Sequence, residues 1–170
     1  MNMSINKNML SPLGFTFNIN KLPGFSEFVQ SVTIPGVQLG FSERPSPFKQ
    51  LPVYGDHLTY SELNATFKVN EDMSNYIEIF NWINGLGFPE GFEQYANLDT
   101  PDNNVSGSGV ESDANIMVMS SAMNPIIRID LQDLFPIALS DITMDSRDTN
   151  VEYIEATASF KFLTYRFTVL

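Results

Sequence analysis

Polar and apolar positions along the chain alternate in two distinct periods. Residues 13–20 put Phe15, Phe17 and Ile19 on one side and Thr16, Asn18 and Asn20 on the other. A period of two marks a half-buried strand. Lys21-Leu22-Pro23-Gly24 then reads as a turn, and a second strand is expected from about Glu27 to Ile34, with Phe28, Val32 and Ile34 on one face. Pro35-Gly36 ends it, and a short strand follows over 37–41. Pro45, Pro47 and Pro52 predict an extended arm over 42–55 that stays out of any central sheet, because proline offers no ladder donor. The cleanest strand comes next, Leu63, Ala65, Phe67 and Val69 alternating with Asn64, Thr66 and Lys68. The period then shifts to about 3.6. Asp72 or Ser74 can cap a helix over 75–84 with Tyr76, Ile79, Phe80 and Ile83 on its apolar face, and Gly85 and Gly87 can stop it.

The stretch 88–112 turns polar and rich in Gly, Ser and Asn, which predicts a flexible loop. Strands resume at 114–120 and 126–131 around a turn at Met123-Asn124-Pro125, and a loop at Phe135-Pro136 precedes a short strand near 142–144. Ala156, Ala158, Phe160 and Phe162 then open an alternation that continues through Tyr165, Phe167 and Val169. Many strands and one helix predict a single domain over 1–170. It is mainly β, a sandwich or barrel of antiparallel strands with one flanking helix. Fourteen Phe and six Tyr exceed what one core of this size needs, so some rings are expected at subunit interfaces.

Charge narrows the function. The formal net charge is −11, and between Glu90 and Glu155 thirteen acids face two bases, Arg128 and Arg147. Such a surface does not grip nucleic acid, which needs clustered Lys and Arg. It is either a solubilising face or one that repels a polyanion. No cysteine is present, which excludes disulfides and thiolate chemistry. Neither a signal peptide nor a membrane span is expected. His57, the lone histidine, lies in Tyr54-Gly55-Asp56-His57, where a turn is expected, and has no evident catalytic partner. Asp99, Asp102 and Asp113 lack the spacing of a calcium loop. Gly107-Ser108-Gly109 lacks the strand–turn–helix setting of a nucleophile elbow. No catalytic residue, cofactor or metal is therefore assigned, and an enzyme is not expected.

Four segments in order resemble the tail tube proteins of T4-like contractile-tailed bacteriophages. They are Phe15-Thr16-Phe17-Asn18-Ile19 followed by Val32-Thr33-Ile34-Pro35-Gly36-Val37; the proline-rich arm leading to Tyr54-Gly55-Asp56; Leu63 to Asp72 running into Tyr76–Trp82; and the closing pair at 143–146 and 154–162. The region 88–112 departs from the family pattern. The resemblance implies a tail-tube-like fold and a structural virion protein, assembled in the host cytoplasm. Such a subunit forms stacked hexameric rings around a DNA-conducting lumen, with sheets joined across subunits. Implied partners are further copies of the chain, the tail sheath, baseplate and tail-terminator proteins, and passing genomic DNA bound without specificity; no membrane is involved. Within that frame Glu62, Asp141, Asp145, Glu152 and Glu155 are candidate lumen-facing acids. The alternatives are a tail completion, terminator, neck or baseplate tube-initiator protein of the same fold, a secretion-tube subunit, or, in a different class, a carbohydrate- or receptor-binding β module.

Overall fold

The computed structural model describes residues 9–87, 89–96, 98, 110–145, 147 and 153–170. Among these residues nine strands and two α-helices follow one another: β1 Phe15–Ile19, β2 Val29–Val32, β3 Val37–Pro45, β4 Gln50–Tyr60, β5 Leu63–Lys68, α1 Ser74–Gly87, α2 Phe92–Ala96, β6 Ser112–Met119, β7 Pro125–Leu139, β8 Glu155–Lys161 and β9 Thr164–Val169. The body is one seven-stranded antiparallel sheet in the order β1-β6-β7-β8-β5-β2, with β9 also on β7. β3 and β4 form a separate two-stranded ribbon. The expected class, mainly β with one principal helix, is what the chain forms.

β7 organises the body. Its first half pairs with β6 on one edge and β9 on the other, Ile129 lying opposite both Ile116 and Phe167. Its second half pairs instead with β8, Phe135 opposite Lys161. The switch occurs at Asp133, whose φ is 54° and whose amide donates to Asp113 Oδ1 at 3.3 Å. The sequence predicted a loop at Phe135-Pro136 and a separate strand near 142–144. Both expectations fail: the strand runs unbroken to Leu139, and 142–144 is not a strand. β8 supplies ladder partners on either side of Pro136, and the register slips between Pro136 and Ala138, so the irregularity absorbs the proline.

The core forms because alternating residues from both halves of the sheet point inward. Leu63, Ala65 and Phe67 face Phe160, Ala158 and Ala156 across the β5–β8 ladder, all buried. The alanines leave room, and rings fill it: Phe25 lies 4.8 Å from Phe67, and Phe17 lies 6.3 Å from Phe25 and 6.4 Å from Phe160, all edge-on. Edge-to-face contact suits the charge distribution of the rings. β1 and β6 add Phe17, Ile19, Ala114, Ile116 and Val118.

α1 is longer than predicted and turned about its axis. Its buried residues are Asn75, Ile79, Trp82 and Gly85, while Phe80 is 49% exposed and Tyr76 and Ile83 are half-buried. Three hydrogen bonds, made by two inward side chains, go with this orientation. Asn75 Nδ2 donates to the Lys68 carbonyl at 2.8 Å, and Asn75 Oδ1 accepts from the Asn70 amide at 3.2 Å. Trp82 Nε1 donates to the Val110 carbonyl at 2.8 Å. A buried amide with both ends satisfied costs little, so it can replace an apolar residue on the inner face. The helix start is fixed by Asp72, whose carboxylate accepts from the Ser74 amide at 3.1 Å, after Met73 at φ 56°.

The second predicted strand, 27–34, shortens to β2 behind a single turn of 3-10 helix at Phe25–Glu27. The final alternation is interrupted at Phe162-Leu163, after which β9 continues antiparallel to β7. Within the predicted loop 88–112, residues 92–96 are helical and Ser112 already belongs to β6. The flexibility expected of that loop's polar part falls on 99–109, which lie outside the described residues.

Candidate functional site

The extended arm expected over 42–55 is a β-hairpin separate from the main sheet, and it is longer than 42–55. β3 and β4 pair from Val37↔Tyr60 to Pro45↔Gln50. A register shift lies between Leu39 and Phe41. At that point Gly40 and Gly55 come so close that a Cβ on Gly55 would stand 2.7 Å from the Gly40 carbonyl oxygen. Only glycine permits this approach. His57 therefore sits in the bulged part of β4, not in a turn; its Nδ1 lies 2.5 Å from Asp56 Oδ1, with both side chains exposed.

The hairpin is covered on neither face, and Val37, Leu39 and Phe41 with their partners Leu58 and Tyr54 make one of its faces apolar. Val37, Leu39, Phe41, Val53, Tyr54 and Leu58 are all exposed, Phe41 at 72% and Tyr54 at 84%. Phe48, between the two strands, is 97% exposed. The ribbon pairs with no strand of the body. A two-stranded ribbon is marginal by itself, and a contiguous apolar surface of this extent marks a site of contact. A second open border lies along β9, which among the described residues pairs only with β7 and exposes Phe167 and Val169. The aromatic residues divide in two: Phe17, Phe25, Phe67, Phe160 and Phe162 are core, whereas Phe41, Phe48, Phe92 and Phe167 are on the surface.

The candidate acids do not gather in one cluster. Glu62 and Glu155 lie on the polar face of the β5–β8 ladder, each beside a lysine. Glu62 reaches Lys161 Nζ at 3.4 Å, and Glu155 stands opposite Lys68. Hydroxyls and amides fill the rest of that face, with Ser159 Oγ donating to Asn64 Oδ1 at 2.6 Å and Thr66 3.1 Å from Thr157. Asp141 and Asp145 are exposed beyond the end of β7, and Arg147 donates to Asp145 through Nε and Nη2 at 3.0 and 2.9 Å. This contact holds the Asp145 carboxyl below its ordinary range. Glu152 lies outside the described residues. Sequence reasoning missed the basic partners because Lys161 and Lys68 become neighbours of these acids only through strand pairing.

Among the described residues, no three His, Asp or Glu side chains lie close enough to hold a metal ion. No described helix is long and apolar enough to cross a membrane. A cleft of about 540 Å³ beside α1 is lined by Lys21, Glu78, Trp82 and Gln94. Lys21 Nζ stands 5.3 Å above the Trp82 ring, and the indole N–H is already used on Val110. Trp82 is 2% exposed, so it serves packing and offers no platform for a sugar ring.

No protein-family model and no curated protein matches the chain by sequence. Solved structures do match by shape. A chain of the anti-feeding prophage tube-terminating cap is similar over 100% of both chains, with a TM-score of 0.66 at 11% identity. A chain of the sheath–tube complex of an extracellular contractile injection system, PVC, in its extended state matches over 96% of this chain and 94% of that one, with a TM-score of 0.64 at 13% identity. A chain of the PVC sheath/tube terminator matches over 97% and 99%, with a TM-score of 0.60 at 14% identity. The chain therefore has the fold found in tube, cap and terminator assemblies of contractile injection particles.

Proposed function

We propose that this protein is a structural subunit of the tube of a contractile tail, built of identical copies that close into hexameric rings and stack around a lumen. The observation that carries the reading is the uncovered hairpin. Its apolar face is bare, and a neighbouring subunit laid on it would take Phe41, Tyr54 and Leu58 out of water. The open border of β9 supports a lateral contact of the same kind, in which a neighbour's strand completes the ladder. The shared fold with contractile injection assemblies agrees with this role. In a phage tail the partners would be the sheath, baseplate and terminator proteins, and DNA would pass through the bore without specific binding.

Glu62, Asp141, Asp145, Glu152 and Glu155 are proposed to face that bore. Lys161 and Arg147 pair with Glu62 and Asp145, and Lys68 stands opposite Glu155, so these three acids would repel a polyanion less than their formal charge suggests. A second reading places the chain at the end of the tube, as a cap or terminator. The full-length overlap with the tube-terminating cap favours it.

Negative-stain imaging of the purified chain over a range of concentrations tests both. Long tubes support the shaft and single rings support the end. A monomer at every concentration, with no ring at any, would sink the assembly reading.

A further inference from the structure

We infer that Tyr165 is a positioning residue that sets the angle at which the hairpin leaves the body, and that it ties this angle to the open strand β9. The inference rests on the assembly reading for its biological purpose, but the geometry stands in the isolated chain.

The hairpin joins the body through a short linker, Thr33 to Gly36, between β2 and β3. Two backbone bonds close its base: Thr33 N to Asn64 O at 2.9 Å and Ser61 N to Gly36 O at 3.0 Å. Gly36 follows Pro35 directly. The ring fixes φ at Pro35, whereas glycine leaves the next residue nearly unrestricted. The peptide between them is therefore the natural pivot. Tyr165 holds that peptide, its hydroxyl donating to the Pro35 carbonyl at 3.1 Å across 130 residues of sequence.

Aromatic packing surrounds the same point. Tyr60, the last residue of β4 and the partner of Val37, lies 5.4 Å from Tyr165 and 5.5 Å from Phe162. Phe162 lies 5.8 Å from Tyr165. The three rings thus clamp both the chain's entry to the hairpin and its return. On the outer side Phe167 packs edge-on against Tyr165 at 5.4 Å and is 59% exposed. The stack therefore runs from the hairpin base to the surface of β9. Tyr165 itself is locked into the ladder opposite Leu131, which is buried. A neighbour that adds to the border of β9 would meet a hairpin already aimed, so less orientational freedom is lost when both contacts form.

The chain has no cysteine, which permits a clean test. Spin labels on Lys49→Cys in the hairpin and Gln132→Cys on β7 report the hairpin's orientation as a distance distribution in the free subunit. Tyr165→Phe removes only the hydroxyl and is expected to broaden the distribution at least twofold while the melting temperature moves little. Tyr76→Phe removes a comparable bond, from the Tyr76 hydroxyl to the Ser140 carbonyl at 3.0 Å, far from the joint. It is expected to leave the distribution unchanged. An unaltered width in Tyr165→Phe, or equal broadening in Tyr76→Phe, would overturn the inference. Neither outcome depends on whether rings form, so a failure of the assembly reading remains distinguishable.

Discussion

Gly55→Ala tests how the hairpin is held together. An ideal Cβ at residue 55 would lie 2.7 Å from the Gly40 carbonyl oxygen and 2.9 Å from its carbonyl carbon. Both atoms are backbone, so no side chain can swing aside. The strands must separate by roughly half an ångström to restore ordinary contact, at a cost of about 1–3 kcal/mol. That cost falls on a ribbon with no third strand and no covering layer, whose own stability is small. The body is spared, because no core residue touches the crossing. The segment from Phe41 to Val53 is therefore expected to exchange its amide hydrogens at least about tenfold faster in the variant, since 1.4 kcal/mol is a factor of ten. Protection in β5–β8, where Phe67 and Phe160 are buried, should be unchanged. Hydrogen exchange read by mass spectrometry resolves the two regions. Equal exchange of the hairpin in both proteins would mean that the crossing relaxes freely, and the account of Gly40 and Gly55 would be wrong.

Two further outcomes are expected. Asn75→Ala removes the donor to Lys68 O and the acceptor for Asn70 N in a site that is 4% exposed. The loss is about 2–4 kcal/mol, or roughly 5–15 °C in melting temperature; a urea titration beside the exposed control Asn81→Ala measures it, and near-equal midpoints would refute it. Asp72 has a folded pKa below its ordinary value, chiefly because its carboxylate accepts hydrogen bonds from Ser74. A depressed carboxylate pKa stabilises the fold fully above the unfolded value and ceases to do so as the pH falls through the folded one. The α1 start should therefore loosen only below the ordinary aspartate range, and an NMR titration of the Asp72 carboxyl that gave an unshifted or raised midpoint would contradict the cap.

Strands with clean alternation were readable because burial on one face imposes a period of two. β5 shows this best, with Leu63, Ala65 and Phe67 all buried as the sequence requires. The helix was legible in place but not in orientation. Asn75 reads as a surface residue until its two partners, brought by β5 and the following turn, are in view. Pro136 reads as a breaker, and only the pairing of β8 across it keeps β7 intact. The hairpin was legible only in part: Pro45, Pro47 and Pro52 gave an extended arm outside the central sheet, but not its pairing, since a ribbon with two free edges tolerates proline where no third strand needs the donor. Composition foretold surplus aromatic rings but not which ones. Separating Phe160 from Phe167 required knowing that the final alternation breaks at Phe162-Leu163.

Among the described residues, β7 alone links the β1-β6-β9 half of the sheet to the β8-β5-β2 half. During synthesis this orders events. β1 waits for β6, with Asn18 and its partner Asn115 separated by 97 positions, and β5 waits for β8, with Thr66 and Thr157 separated by 91. A nascent chain that has emerged only as far as α2 therefore exposes Leu63, Ala65 and Phe67 on a strand whose far neighbour is not yet made. Such long closures slow folding and leave sticky edges open meanwhile. The ribosome must deliver residue 161 before this half of the molecule can shut.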